Sequence, residues 1–202
     1  MDSTIVRNGI PLSEIRDSAL SCKDIEKFSP YIIFAGRLDR DKGLDKLVRS
    51  FEYLKKSDLT LALVGKGEYE TSLRKLVAQL GLESKVIFLG YKENPLPFIR
   101  SSLALVIPSP WECQSLAVLE AFSLSVPVIG VDNPGMRDLL WNGDRGLLCK
   151  GNATSLAKAI RKIISDNKLR SALVQAGQDY VEAHEESTMF KYYLEIIDDL
   201  IK

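Results

Sequence analysis

Five short apolar runs, separated by amphipathic segments, constrain the fold of this chain more than any other feature of its sequence. Each run is rich in Val, Ile, Leu or Phe and is bounded by Gly, Pro or Asp, which is typical of strands buried on both faces of a parallel sheet. The runs cover residues 31–35, 59–64, 86–89, 103–107 and 126–131.

Segments with helical periodicity lie between and after these runs. They cover residues 43–55, 68–80, 115–124 and 136–141, followed by 152–165, 168–182 and 187–202 beyond a short edge strand expected at 146–148. This alternation predicts an α/β fold with a doubly wound parallel sheet. We expect that domain to span residues 31–182, with an N-terminal arm or interdomain linker at 1–30 and a C-terminal amphipathic helix at 183–202.

Charge and composition exclude several functional classes. The 202 residues contain 27 Lys plus Arg and 27 Asp plus Glu, so no overall positive charge draws the chain to nucleic acid. No apolar run reaches the roughly 20 residues that span a bilayer, and residues 1–4 lack the features of a signal peptide. We therefore expect a cytoplasmic protein whose anion-binding groups are local.

Cysteine and histidine usage argues against disulfide, zinc and triad chemistry. Cys22, Cys113 and Cys149 are odd in number and far apart, without a Cys-x-x-Cys pair. The single histidine, His184, lies in a polar stretch and lacks the partners that a catalytic triad or a His-based metal site needs. We expect His184 to be a solvated surface residue.

The loops at the carboxyl ends of the strands carry the candidate chemistry, because ligands of doubly wound sheets bind there. In the first loop, Gly36 permits a sharp turn, and Arg37 and Lys42 offer positive charge suited to a diphosphate. The alternative is a solvated loop in which Asp39 and Asp41 pair with these basic side chains.

The next two loops are less specific. Gly65 and Gly67 allow close backbone approach after the second strand, but they lack the spacing of a dinucleotide-binding loop, which argues against NAD or FAD. After the third strand, backbone groups at Gly90 and the ring of Tyr91 are suited to the edge of a base, although Tyr91 is equally suited to simple packing.

The fourth loop is the most informative. Backbone amides of Ser115, Leu116 and Ala117 would lie at a helix N-terminus, which favours a phosphate. Glu112 would project from the loop just before this helix. Glu120 lies within an apolar stretch, where a carboxylate is costly to bury unless a group such as a ribose cis-diol pairs with it; otherwise it is an exposed helical position.

These motifs, taken in order, resemble the nucleotide-sugar-binding half of family 4 glycosyltransferases over about residues 5–165. Each motif alone is weak, but their order, spacing and placement at strand ends make the resemblance specific. The motifs are Asn8-Gly9-Ile10-Pro11, Gly36-Arg37-Leu38 with Lys42-Gly43, Val64-Gly65-Lys66-Gly67, Phe88-Leu89-Gly90-Tyr91, Glu112 followed after seven residues by Glu120-Ala121-Phe122, and Pro127-Val128-Ile129-Gly130.

The resemblance implies a role for each candidate residue. Arg37 and Lys42 would hold the donor diphosphate, Glu112 would face the transferred sugar near the leaving phosphate, and Glu120 would hold the ribose hydroxyls. The remaining candidates would contact the donor mainly through their backbone or, for Tyr91, beside the base: Gly36, Gly65, Gly90, Tyr91, Cys113, Gln114, Ser115, Leu116 and Ala117.

The chain departs from the family pattern at three places. Gln114-Ser115 stands where a Phe-Gly pair is common, Ser125 stands where Gly is common, and Pro134-Gly135 followed by Asp138 replaces Gly-Gly followed by Glu. These side chains leave the identity of the donor sugar open.

The resemblance also implies an overall activity. The expected fold is Rossmann-like, one half of a two-domain architecture, and the expected reaction is retaining transfer from a UDP- or GDP-linked sugar to an acceptor hydroxyl, without cofactor or metal. An N-terminal acceptor-binding domain, in the same longer chain or in a separate subunit, would complete the site and would provide any peripheral association with the inner face of the membrane. Without it, this domain should be inactive.

Polysaccharide biosynthesis is the role that the resemblance suggests. Two alternatives remain: a non-catalytic nucleotide-sugar-binding module that regulates or scaffolds a partner, and an epimerase or phosphorylase with the same two-domain architecture. The glutamate pair, together with the first-loop motif, disfavours the last.

Overall fold

The computed structural model describes residues 9–20 and 30–201. Asn8 of the first motif, Cys22 and most of the predicted N-terminal arm lie outside these residues. Within the described part of the arm, one short helix, α1 (Leu12–Ser18), packs against the sheet domain through Leu12 and Ile15.

Six parallel strands form one sheet, as the sequence predicts. In the order in which they lie across the sheet, the strands are β3 (Val86–Gly90), β2 (Thr60–Val64), β1 (Tyr31–Ala35), β4 (Leu105–Ile107), β5 (Val128–Val131) and β6 (Leu147–Cys149). The predicted short strand near residue 147 is indeed at an edge. The direction of winding reverses at β1, which lies between β2 and β4, so the loops after β1 and β4 lead to helices on opposite faces of the sheet and leave a crevice at this edge.

Helices cover both faces of the sheet. The remaining α-helices are α2 (Leu44–Ser50), α3 (Glu70–Gln79), α4 (Leu96–Arg100), α5 (Leu116–Ser123), α6 (Pro134–Leu139), α7 (Ala153–Ser165), α8 (Asn167–Ala183) and α9 (Glu186–Ile201). Side chains of α2, α3 and α7 join one hydrophobic cluster, and side chains of α4, α5 and α6 join another. Strand β1 contributes Ile32 and Phe34 to the first cluster and Ile33 to the second, because successive side chains point to opposite faces. This is why its sequence is continuously apolar.

Some predicted helices need correction: α6, for example, begins and ends two residues earlier than predicted. The segment predicted as one helix at 43–55 contains α2 followed by a 3₁₀-helix (Phe51–Leu54), and another 3₁₀-helix (Arg40–Lys42) precedes α2. Helix α4 lies between β3 and β4, where the sequence pattern predicts no helix, and Pro97 lies in its first turn. Proline is accepted in a first helical turn, since the amide hydrogens there have no partner within the helix.

The C-terminal helices correct the expectation for His184. Its ring is half-buried at the end of α8, where it stacks on Tyr180 with ring centres 4.1 Å apart, and its Nδ1 lies 2.8 Å from the Tyr180 carbonyl oxygen. The i, i+4 spacing on the helix brings the two rings together.

Within the described residues, no helix combines the length and apolar character needed to cross a membrane.

Two glycines bring the loops after β1 and β2 into direct backbone contact. Gly65 has φ of +136°, and a Cβ placed on it would lie 1.8 Å from the carbonyl oxygen of Gly36. Any side chain at position 65 would therefore push the two loops apart.

We predict that Gly65→Ala lowers the free energy of unfolding by roughly 3 kcal/mol or more, because it adds a steric collision to an unfavourable φ. Gly81→Ala is the matched control: Gly81 also has a positive φ, +60°, but nothing lies within 4 Å of its added Cβ. The control variant should lower the free energy of unfolding by only about 1 kcal/mol. Urea denaturation of both variants measures the difference, and equal losses would refute the steric explanation.

Candidate functional site

A cleft opens where the winding of the sheet reverses, at the carboxyl ends of β1, β2 and β4. It consists of two pockets that adjoin, since both are lined by Ala35, Gly36 and Arg37. The first pocket, of about 410 Å³, is also lined by Val64, Gly65, Lys66, Tyr91, Lys92, Pro95, Ala117 and Glu120. The second, of about 430 Å³, is also lined by Phe34, Lys42, Ile107, Glu112, Gln114, Ser115 and Leu116.

The structure brings most of the sequence-predicted site residues together in this cleft. Of the candidates, Gly65, Tyr91, Ala117 and Glu120 line the first pocket; Lys42, Glu112, Gln114, Ser115 and Leu116 line the second; Gly36 and Arg37 line both. Gly90 and Cys113 are not among the lining residues. The Gly90 carbonyl oxygen accepts a hydrogen bond of 2.9 Å from the Gly65 N–H, and Cys113 is exposed.

An ion pair joins the loops after β1 and β4 across the second pocket. The Lys42 Nζ lies 2.9 Å from Glu112 Oε1, and only 22% and 16% of the two side chains are exposed. Next to Lys42, a Cβ on Gly43 would lie 2.4 Å from the carbonyl oxygen of Pro108, so the two loops also touch through their backbones. The two side chains expected to face phosphate and sugar thus bind each other in this structure.

Arg37 lies at the junction of the two pockets. Its side chain is 74% exposed, and its NH1 lies 2.5 Å from Asp39 Oδ2. This is one of the pairings that the sequence left open for the first loop. Because the guanidinium remains exposed and has five N–H donors, it can bind an anion while it retains Asp39.

Glu120 projects from α5 into the first pocket. Burial raises the pKa of its carboxyl above the usual value. Among the residues that the structure describes, no side chain or backbone group forms a hydrogen bond or ion pair with this carboxyl. A half-buried carboxylate without a partner is costly, and a ligand with two adjacent hydroxyl groups would relieve that cost.

The N-terminus of α5 faces the second pocket. Ser115 is its N-cap, with β-region dihedral angles, and its side chain forms no capping hydrogen bond. Both Ser115 and Leu116 line the pocket. The first amide hydrogens of the helix therefore need an external acceptor, and the helix dipole favours a negatively charged one.

Two basic residues of the first pocket, Lys66 and Lys92, were not among the candidates predicted from the sequence. The Lys66 Nζ lies 5.0 Å from the ring centre of Tyr91, and Lys92 lines the same pocket. Lys66 stands between the two glycines of the second loop, and that position was a usable signal. Together with Arg37, these lysines make the pocket positively charged apart from Glu120.

The described residues offer no evident metal centre. In this part of the chain, no three His, Cys, Asp or Glu side chains lie close enough together to hold a metal ion. Cys113 and Cys149 are free, and burial, with a smaller contribution from the Asp132 charge, raises the pKa of the Cys149 thiol to about 11.

The protein family that this chain matches and two similar proteins are all glycosyltransferases. Residues 22–180 match the family described as glycosyl transferases group 1. The chain is 32% identical over 170 residues to N-acetylgalactosamine-N,N'-diacetylbacillosaminyl-diphospho-undecaprenol 4-alpha-N-acetylgalactosaminyltransferase of Campylobacter jejuni, covering 83% of this chain and 46% of the relative. It is 30% identical over 152 residues to the lipopolysaccharide core biosynthesis glycosyltransferase LpsE of Rhizobium meliloti, covering 75% and 44%. The chain thus spans less than half of the length of either relative.

Among solved structures, HepE of Anabaena in complex with UDP and glucose shares the fold, with a TM-score of 0.85 and 22% identity. The match covers 96% of this chain and 56% of HepE.

We predict that Glu120→Gln is more stable than the unmodified chain at pH 7, with a gain that shrinks as the pH falls. The pKa of Glu120 is raised in the folded state, so its ionisation opposes folding as pH rises through the unfolded and then the folded pKa. Below both pKa values the carboxyl is neutral in both states and the difference should vanish.

Urea denaturation from pH 3.5 to 7.5 measures this gain, with exposed Glu52→Gln as the control. A gain that is independent of pH would contradict the burial of a carboxylate as its cause.

Proposed function

This chain belongs to the glycosyl transferases of group 1, and on that premise we propose that it is the donor-binding half of a retaining glycosyltransferase. The complete enzyme would transfer a sugar from a nucleoside diphosphate sugar to an acceptor hydroxyl. The observation that carries the proposal is the pair of adjoining pockets, with Glu120 in the first, Lys42 and Glu112 in the second, and Arg37 in both.

In this proposal the first pocket holds the nucleoside. The ribose hydroxyls donate to the two oxygens of Glu120, which replaces the hydration that the carboxylate loses on burial. The base lies beside Tyr91 and the Lys66 ammonium. Apart from Glu120 the lining residues include no acidic side chain, so the pocket supplies donors to the oxygens of a base. UDP is the first nucleotide to test, since HepE was crystallised with it.

The second pocket holds the diphosphate and the transferred sugar. When the bond between the anomeric carbon and the phosphate oxygen breaks, its electron pair leaves with the diphosphate, while the acceptor oxygen bonds to the same face of the sugar and gives its proton to the departing phosphate oxygen. Arg37, Lys42 and the first amides of α5 stabilise the developing negative charge. Glu112 faces the sugar. No cofactor or metal is part of this proposal.

In this proposal, a second, N-terminal domain provides the acceptor site and orients the acceptor hydroxyl toward the donor sugar. The chain spans less than half of the length of the Campylobacter and Rhizobium relatives, and the Campylobacter relative is named for a diphospho-undecaprenol-linked saccharide. That domain would exclude water from the cleft and would account for membrane association at the cytoplasmic face. The chain alone should bind donor weakly and transfer little or nothing.

Calorimetric titration of the chain with UDP, GDP and ADP tests the proposed donor site. We expect selective binding of UDP, weakened about 10-fold or more in both Arg37→Ala and Glu120→Ala, since each variant removes a charged hydrogen-bonding group. Arg49→Ala, which removes an exposed arginine of α2 outside the cleft, should bind as the unmodified chain does.

Binding of none of the three nucleotides by the folded chain would contradict a preformed donor site. Nucleotide binding by a full-length protein that transfers no sugar would instead support the non-catalytic binding module.

We also predict that Glu112→Gln binds UDP about 2- to 5-fold more tightly than the unmodified chain. In this structure Glu112 holds Lys42 and places a negative charge beside the proposed diphosphate site, so neutralising it releases the lysine and removes a repulsion. The gain should shrink in a Lys42→Ala background, as a double-mutant cycle would show. Weaker binding of UDP by Glu112→Gln would show that the carboxylate itself supports the nucleotide.

A further inference from the structure

The loop that carries Glu112 has no regular secondary structure of its own. This β4 loop, residues 108–115, runs from the end of β4 to the N-cap of α5. On the side facing α2, the contact between Gly43 and Pro108 and the Lys42–Glu112 ion pair hold it. Its opposite side faces the segment that follows β5.

Asn133 bonds to the β4 loop from that opposite side. Its side chain is buried, and its Nδ2 donates to the carbonyl oxygens of Ser109, at 3.2 Å, and Val131, at 3.1 Å. Its Oδ1 accepts from the Met136 N–H at 3.0 Å and so caps α6. One side chain therefore ties the end of β5 and the start of α6 to the start of the β4 loop.

Gly135 brings α6 against the same loop at Glu112 itself. A Cβ on Gly135 would lie 1.8 Å from the Glu112 carbonyl oxygen and 2.9 Å from that of Cys113. The φ of Gly135 is not in the left-handed region, so the backbone there would accept any residue and only the lack of space requires glycine. The backbone of Glu112 is thus packed against the helix that Asn133 caps.

We infer that Asn133 is a positioning residue for Glu112: it fixes the β4 loop against α6 so that the Glu112 carboxylate lies in the second pocket. Asn133 is not among the lining residues of either pocket, so it acts through the loop and not on the donor. The expected effect of Asn133 on nucleotide binding and sugar transfer rests on the proposed function. A shift of about 1 Å in a polar group of such a site weakens binding and catalysis. Its structural part stands on the contacts alone.

Trp111 provides a direct probe of the β4 loop. It precedes Glu112 and is 79% exposed, and the only other tryptophan of the sequence is Trp141. In a Trp141→Phe background, the fluorescence anisotropy of Trp111 reports the mobility of the loop without any ligand. Titration with UDP in the same background reports the consequence for the proposed site.

Asn133→Ser removes the amide that donates to Ser109 but keeps a side-chain oxygen that caps α6. We expect a lower Trp111 anisotropy and about 3- to 10-fold weaker binding of UDP, because the same loop ends at Ser115, the N-cap of α5, and its movement displaces the first α5 amides from the proposed diphosphate site. This loss outweighs the release of Lys42 from Glu112. Asn152→Ser is the matched control, since Asn152 caps α7 in the same way by accepting from the Ser155 N–H at 2.9 Å. It should change neither measurement. Gly135→Ala displaces the loop through a different contact and should act as Asn133→Ser does, which keeps the test decisive if one variant does not fold.

An unchanged Trp111 anisotropy in folded Asn133→Ser and Gly135→Ala would overturn the inference, whatever happens to nucleotide binding. A lower anisotropy with unchanged binding of UDP would overturn the functional consequence. If the unmodified chain binds no nucleotide but the variants still lower the anisotropy, the positioning of the loop stands and the proposed function fails.

Discussion

The ion pair between Lys42 and Glu112 is the interaction on which the cleft depends. Its two side chains come from loops that follow different strands, and both are largely buried. Removing two charges from water costs about as much as their attraction returns, so such a pair adds little net stability. Loss of one partner, however, leaves a buried charge without compensation. The pair therefore orients the two side chains toward each other, whereas the backbone contact of Gly43 with Pro108 holds the two loops close together.

Glu120 also bears the free-energy cost of burying a charge, but among the described residues no partner offsets that cost. Its carboxyl is held in a helix whose other inward-facing side chains join the hydrophobic core, and burial raises its pKa. The fold tolerates this cost because the apolar faces of β1, β4 and α5 supply much larger stabilisation. Buried ionisable groups that oppose folding but face an open cleft are typical of binding sites, because a bound ligand replaces the hydration that these groups lose in the empty protein.

Local sequence patterns predicted the fold well because buried parallel strands depend on local composition. The strand predicted at 31–35 coincides with β1, and the alternation of strands with helices predicted the sheet. Helix α4 was missed because Pro95 and Pro97 favour a turn, yet packing of Phe98 and Ile99 into the core overrides that preference. His184 was misjudged for a related reason: its neighbours in sequence are polar, whereas its neighbour in space is the ring of Tyr180.

The charged residues of the cleft were predictable from the sequence, whereas the residues that hold their loops in place were not. Arg37, Lys42, Glu112 and Glu120 have side chains whose chemistry is visible at strand ends, and the cleft includes all of them. Asn133 and Gly135 are separated from Glu112 by more than 20 positions, and their contacts involve backbone oxygens, which every residue has. Only the fold shows that the start of α6 touches this loop.

The cleft combines rigid support with an open rim. Beneath it, backbone contacts leave no room for side chains at Gly65 and Gly135. At and near the rim, Arg37, Tyr91, Trp111 and Leu116 remain exposed. A rigid floor orients charged groups without a ligand, whereas an open rim leaves those charges in contact with water, which weakens their attraction for an anion. Covering this rim would strengthen the electrostatic interactions of Arg37 and Lys42 without moving either residue, so the proposed N-terminal domain would act on the same groups that already face the cleft.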